Sequence, residues 1–163
     1  MLELARQLNE AKKYFALYCS LETVQGIDDL KEGIPAILNV LGSDIKFYPL
    51  LRHIPFAEQI DESNFNTILR ESLSYFFESV DKPLVILFDE VDCLANSTLI
   101  SFLRQLRNGY VNRGHIPFVH SIALVGMRNI RDCKGKIREE RDTLGGASPF
   151  TLSRHRKPCV ISP

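Results

Sequence analysis

Two carboxylates arrive together at the end of an apolar run: Leu84-Val85-Ile86-Leu87-Phe88 leads directly into Asp89-Glu90-Val91-Asp92. Five consecutive apolar residues, preceded by the Asp81-Lys82-Pro83 turn, read as a strand buried on both faces in the middle of a parallel sheet. In open α/β sheets, ligands bind outside the carboxyl ends of such strands. Acidic side chains at that edge suit a divalent cation, and Asp89, Glu90 and Asp92 together could form a metal cluster. The plainer use of Asp89 and Glu90 is to begin a solvated turn and cap the helix that follows. Asp92 suits capping or solvation better than metal ligation.

The flanking sequence supplies elements to hold this edge in place. Leu2, Ala5, Leu8 and Ala11 recur every third residue among charged ones and predict a helix starting almost at residue 1. The run from Tyr14 to Ser20 predicts a second buried strand, so helix and strand together imply an α/β unit. Ile27, Leu30, Ile34, Ile37, Leu38 and Leu41 keep helical spacing, with Pro35 arguing against one straight helix and Gly42-Ser43 closing the segment. Residues 44–62 read as a connection with one helical turn. Phe65, Ile68, Leu69, Leu73, Phe76, Phe77 and Val80 form a strong helical stripe. Beyond the acids, Asn96, Ser97 or Thr98 is placed to cap a helix carrying Leu99, Phe102, Leu103, Leu106 and Tyr110. A further strand is expected over Phe118–Val125, ending at Gly126. The tail from Lys134 is charged and then rich in Gly, Ser and Pro, and is expected to start helical and fray.

Composition narrows the function classes. Twenty basic and twenty acidic residues cancel, so no bulk attraction to nucleic acid or an anionic membrane is expected. Cys19, Cys93, Cys133 and Cys159 are scattered without the spacing of a zinc knuckle or redox pair, and read as reduced, mostly buried thiols. No apolar run approaches the length of a membrane span, and the N-terminus is amphipathic and charged, so a cytoplasmic location is expected. His115 and His120 lie without Cys or carboxylate at ligand spacing and suit packing or the surface. Arg104, Arg107 and Arg113 share a helix and fit a solvent-facing stripe or a subunit contact. The basic cluster Arg154-His155-Arg156-Lys157 has no interleaved aromatics and reads as a solvated tail.

With those residues in view, the chain resembles an AAA-like, additional-strand P-loop ATPase, of the predicted ATP-binding type found in archaea and bacteria. Leu84–Asp92, LVILFDEVD, is similar to the Walker B strand of that family, and Ser121–Asp132, SIALVGMRNIRD, to its sensor strand, in the right order and joined by one helix. The resemblance covers residues 1–133 and implies a parallel sheet with helices on both faces, Walker B strand between strand two and the sensor strand. Residues 134–163 form a charged, partly disordered tail in this reading. The resemblance further implies that Asp89 holds Mg²⁺ through its water shell, that Glu90 activates the attacking water, and that Asn129 contacts that water or the terminal phosphate of ATP. Arg128 and Arg131 match no defined position.

The sequence departs from the family in one respect: G-x-x-x-x-G-K-[ST] occurs nowhere, and Gly26, Gly33 and Gly42 are isolated. The chain opens inside what resembles the family's first helix, so a fragment missing the first strand and its phosphate loop is expected. In that case the sensor strand is left as an open edge, inviting self-association or a protein partner. Without the backbone cradle and the Lys that meet the β and γ phosphates, ATP binding and hydrolysis are expected to be weak or absent in these residues alone. Two other classes stand beside this one: a non-catalytic interaction module derived from such an ATPase, and a magnesium-dependent nuclease built on Asp89, Glu90 and Asp92.

Overall fold

A computed structural model describes residues 1–56, 64–127 and the short strand 159–161. Its order is α1 (Leu2–Glu10), β1 (Phe15–Ser20), a 3-10 turn (Glu22–Val24), α2 (Leu30–Lys46), α3 (Ile68–Glu78), β2 (Leu84–Asp89), a second 3-10 turn (Val91–Cys93), α4 (Asn96–Asn112), β3 (Ser121–Leu124) and β4 (Cys159–Ile161). The fold is α/β. β1, β2 and β3 run parallel with β2 in the middle, Ser20 beside Asp89 and Phe88 beside Leu124.

Alternation along the strands divides the core into two. Phe15, Leu17, Cys19, Leu84, Ile86, Phe88, Ile122 and Leu124 pack with α2, α3 and α4 on one face. Ala16, Val85, Leu87 and Ala123 pack with Ala5 and Leu8 of α1 on the other. Helices therefore cover both faces, and β2 is apolar throughout because both of its faces are buried. Phe88 is fixed by the edge of Phe102 from α4, ring centroids 5.1 Å apart at 85°. That contact anchors the strand end that carries Asp89.

Three local expectations are corrected. First, Gly42-Ser43 does not close α2, which contains Pro35 and runs on to Lys46. Proline in a helix interior costs about 3 kcal/mol, but α2 buries Ile34, Ile37, Leu38, Leu41 and Ile45, each contributing roughly 1.5–3 kcal/mol. Burial wins, and Ile45 carries the stripe past the glycine. Second, none of Asn96, Ser97 and Thr98 is the N-cap of α4; that position is Ala95, which has no side-chain oxygen to offer. The cap comes from across the fold: Asp28 accepts from the Ser97 N–H at 2.9 Å and from its hydroxyl. Third, the free side of β3 is not open, since β4 pairs with it antiparallel, Ala123 beside Val160.

The opposite edge, β1, is covered by side chains. The Asn9 amide donates to the Ala16 carbonyl at 2.8 Å and accepts from the Ala16 N–H at 2.9 Å, as a neighbouring strand would. The Tyr18 N–H donates to the Tyr48 hydroxyl at 3.0 Å. The β1 edge is thus engaged by side chains, and the free side of β3 by β4, which limits strand addition at either strand.

Gly109 explains itself by contact: a Cβ there would lie 2.3 Å from the buried ring of Phe118. Among the described residues, no helix is long and apolar enough to cross a membrane.

Candidate functional site

The acidic segment sits at the carboxyl end of the central strand, as the alternation and the apolar run of β2 require. β2 ends at Asp89, and the ladder continues irregularly beyond it. The Leu21 N–H donates to the Asp89 carbonyl at 3.0 Å, and the Val91 N–H to the Val125 carbonyl at 3.0 Å. The segment is therefore held by backbone from both neighbouring strands.

Its three acids are treated differently. Asp89 is half-buried and has a donor on each oxygen: the Tyr18 hydroxyl on Oδ2 at 3.1 Å and the Glu90 N–H on Oδ1 at 3.1 Å. Asp92 faces the exit of β3, where Oδ1 accepts the Met127 N–H at 3.2 Å. Gly126 admits that carboxylate, since a Cβ there would lie 2.3 Å from Asp92 Oδ1. Asp92 therefore ties the turn after β2 to the segment leaving β3. It neither caps a helix nor stands free in solvent.

Glu90 is the exception. Among the described residues its side chain meets the Cys93 thiol, 3.9 Å from Oε2, a weak donor at long range. Its backbone is left-handed, at φ 55° and ψ 36°. Such a conformation costs an L-residue roughly 1–2 kcal/mol and collects at sites where a side chain must be held in one place. Glu90→Gly is accordingly expected to stabilise the fold by about 1 kcal/mol, since glycine adopts this conformation without a Cβ clash. Urea denaturation of the two chains measures the difference, and a loss of stability would contradict the strain.

The surroundings disfavour further negative charge. Tyr18 has its phenol raised above the usual range by burial, by its hydrogen bond to Asp89 and by the nearby charges. Cys93 is raised by burial and by the charges of Glu90, Asp92 and Glu22. Both remain protonated donors at neutral pH. Among the described residues, no group of three His, Cys, Asp or Glu side chains is arranged to hold a metal ion by direct ligation. Hydrated Mg²⁺ needs less, since it keeps several waters and is held through one or two carboxylates with substrate phosphates. Asp89 fits that requirement. The triphosphate is not matched in the same way, because the 163 residues contain no phosphate-binding glycine loop with its Lys.

Asn129, Arg128 and Arg131 lie outside the described residues, one to four positions beyond Met127. Cys133, the basic cluster at Arg154–Lys157 and the helical start of the tail also lie outside them. His115 is exposed, and His120 stacks at 5.6 Å on Tyr14, a packing contact. Sequence reasoning passed over Tyr18, whose hydroxyl reaches the site from β1. Its signal was faint: a phenol inside an apolar strand, two residues before the partner of Asp89.

Cys19, on the opposite face of β1, is fully buried and hydrogen-bonded to Asp44. Burial first, then the Asp44 charge, drives its thiol far above the ordinary range. An unfolded chain releases this proton near about pH 8.5, whereas the folded chain retains it. The folded state then binds more protons, so stability falls as pH rises above that point, by at most about 1.4 kcal/mol per pH unit. Denaturation of wild type and Cys19→Ala over the alkaline range is expected to show the steeper decline in wild type. Equal slopes would contradict it.

No family model, curated protein or solved structure matches the chain. The functional reading therefore stands on the residues and geometry above.

Proposed function

We propose that this chain carries the cation-holding and water-activating half of an AAA-like P-loop ATPase site. The observation that supports it most is the contrast at the end of β2, where Asp89 is fixed by two donors and Glu90 is strained and, among the described residues, meets only the Cys93 thiol. A carboxylate that holds a hydrated cation must keep its orientation. A general base must keep its lone pairs free for the water it deprotonates.

In this reading Asp89 holds Mg²⁺ through water, and the ion supplies neutralisation of phosphate charge when bound. Glu90 takes a proton from the attacking water, and Asp92 keeps the segment leading to Asn129 beside it. Asn129 is assigned the contact to that water or to the terminal phosphate of ATP. The cation would not assemble the ATP site alone, because Asp89 and Glu90 without a phosphate loop repel the triphosphate.

The chain by itself is therefore expected to turn over no ATP. Phosphate release from purified chain with Mg²⁺ and ATP tests this, with Glu90→Gln as the control for contaminants. Magnesium-dependent turnover by the wild-type chain that the variant lacks would overturn the requirement for a phosphate loop.

The other two classes gain less. A magnesium-dependent nuclease calls for a cluster of direct ligands, and Asp92 is engaged with Met127 instead. An interaction module that offers the free side of β3 or of β1 meets β4 on the one and Asn9 with Tyr48 on the other.

A further inference from the structure

Among the described residues, Tyr18 is the one side chain from outside the acidic segment that donates to Asp89. The register places Tyr18 beside Leu87 and Ser20 beside Asp89, so phenol and carboxylate are diagonal neighbours on the α1 face of the sheet. Two residues along a strand span about 6.6 Å, a distance that a tyrosine bridges and a serine or threonine does not. The ring is half-buried against the second core, and the backbone at the same residue is pinned by Tyr48. The donor is thus held at both ends of its residue, by packing at the ring and by a hydrogen bond at the N–H.

We infer that Tyr18 is a positioning residue for a hydrated divalent cation, its hydroxyl fixing the rotation of the Asp89 carboxylate. The inference rests on the ATPase-site reading. With Oδ2 held by Tyr18 and Oδ1 by the Glu90 N–H, the plane of the carboxylate is set by two strands. Removing the hydroxyl leaves Oδ1 as the only tethered oxygen and lets the group swing. Outer-shell partners of metal-holding groups typically change cation affinity by about 10–100-fold when removed. Tyr18 belongs with them, because it acts through Asp89 and touches no phosphate.

Tyr18→Phe isolates the hydroxyl, since the ring and its packing remain. The probe is Mn²⁺, which shares the octahedral, oxygen-seeking chemistry of Mg²⁺ and broadens nearby amide signals in proportion to occupancy. We expect Mn²⁺ to broaden the amides of residues 89–92 in wild type. In Asp89→Asn the broadening should be lost. In Tyr18→Phe it should need about tenfold more Mn²⁺, with an otherwise unchanged amide spectrum. A Tyr18→Phe titration that superimposes on wild type, while Asp89→Asn abolishes broadening, overturns the positioning role and leaves the cation reading intact. Broadening that is absent in wild type, or indifferent to Asp89→Asn, overturns the cation site itself and the role of Tyr18 with it.

Discussion

Glu90→Gln, placed in a form of the protein that carries a phosphate loop, is expected to lower ATP turnover by at least about 100-fold, the smaller end of what a positioned general base contributes. Affinity for Mg·ATP should stay within about twofold, because glutamine keeps the size and backbone of the residue while losing the basic lone pair. The expectation rests on how little Glu90 does structurally. Among the described residues its side chain has one weak sulfur contact, and its backbone is strained, so the described fold gains little from the carboxylate. Asp89 differs: two donors converge on it, and its loss should weaken magnesium-dependent binding first. A parallel measurement of kcat and nucleotide Kd distinguishes the two acids. Equal loss of both quantities in Glu90→Gln would mean that this side chain binds and does not activate.

The largest effect on stability is expected at a residue far from that edge. Gln105→Leu should destabilise the fold by about 4 kcal/mol, as the sum of several buried groups left unpaired at about 1–3 kcal/mol each, partly relieved by relaxation. Gln105 is buried in α4. Its Oε1 accepts the N–H groups of Leu69 and Arg70 at 2.9 and 3.3 Å, and its Nε2 donates to the Phe65 carbonyl and Ser101 Oγ at 2.9 and 3.0 Å. These amides are first-turn groups of α3, which a helix cannot satisfy internally. Thr67, the N-cap of α3, makes no side-chain cap, and its Oγ1 is buried without a partner among the described residues. Gln105 therefore caps α3 from another helix and locks the α3–α4 pair onto the sheet. Leucine preserves the volume, so the loss in urea midpoint would report the hydrogen bonds. A change below about 1 kcal/mol would show that water replaces them.

How much of this was legible beforehand depended on the range of the forces involved. The stripe over Ile68–Phe77, the buried run Leu84–Phe88 and the placement of Asp89 at a strand end are local signals of period and composition, and the structure agrees with them. The central position of β2 is likewise as expected. The misread features are those decided by distant partners. Gly42-Ser43 was read as the close of the helix because glycine is judged by its own backbone, whereas the burial of Ile45 that carries α2 past it belongs to the tertiary structure. Asn96, Ser97 and Thr98 looked like caps for α4, yet the cap arrives from Asp28, nearly seventy residues earlier, through Ser97. The pairing of Cys159–Ile161 with β3 joins three residues of a tail to a strand 35 positions or more away, and three residues carry too little pattern to announce it.

The site follows the same division. Two carboxylates at the end of a buried strand are visible in the sequence, because chemistry and pattern coincide at Asp89 and Glu90. Their unlike surroundings are not visible, since those depend on Tyr18 crossing from β1 and on a left-handed backbone at Glu90 that no residue type at that position signals. Asp92 was read as a solvated or capping residue. Its hydrogen bond to Met127 and its fit against Gly126 depend on two loops meeting at the sheet edge.

We propose that Asp89 holds the cation of an ATP site that needs a phosphate-binding loop besides these residues. A Mg·ATP binding titration tests it most directly, made on this chain and on a form extended through the codons upstream of Met1, each with and without Asp89→Ala. Magnesium-dependent binding that appears only in the extended form and is lost with Asp89→Ala is the predicted result. Absence of binding in both forms, or binding that survives Asp89→Ala unchanged, would contradict it.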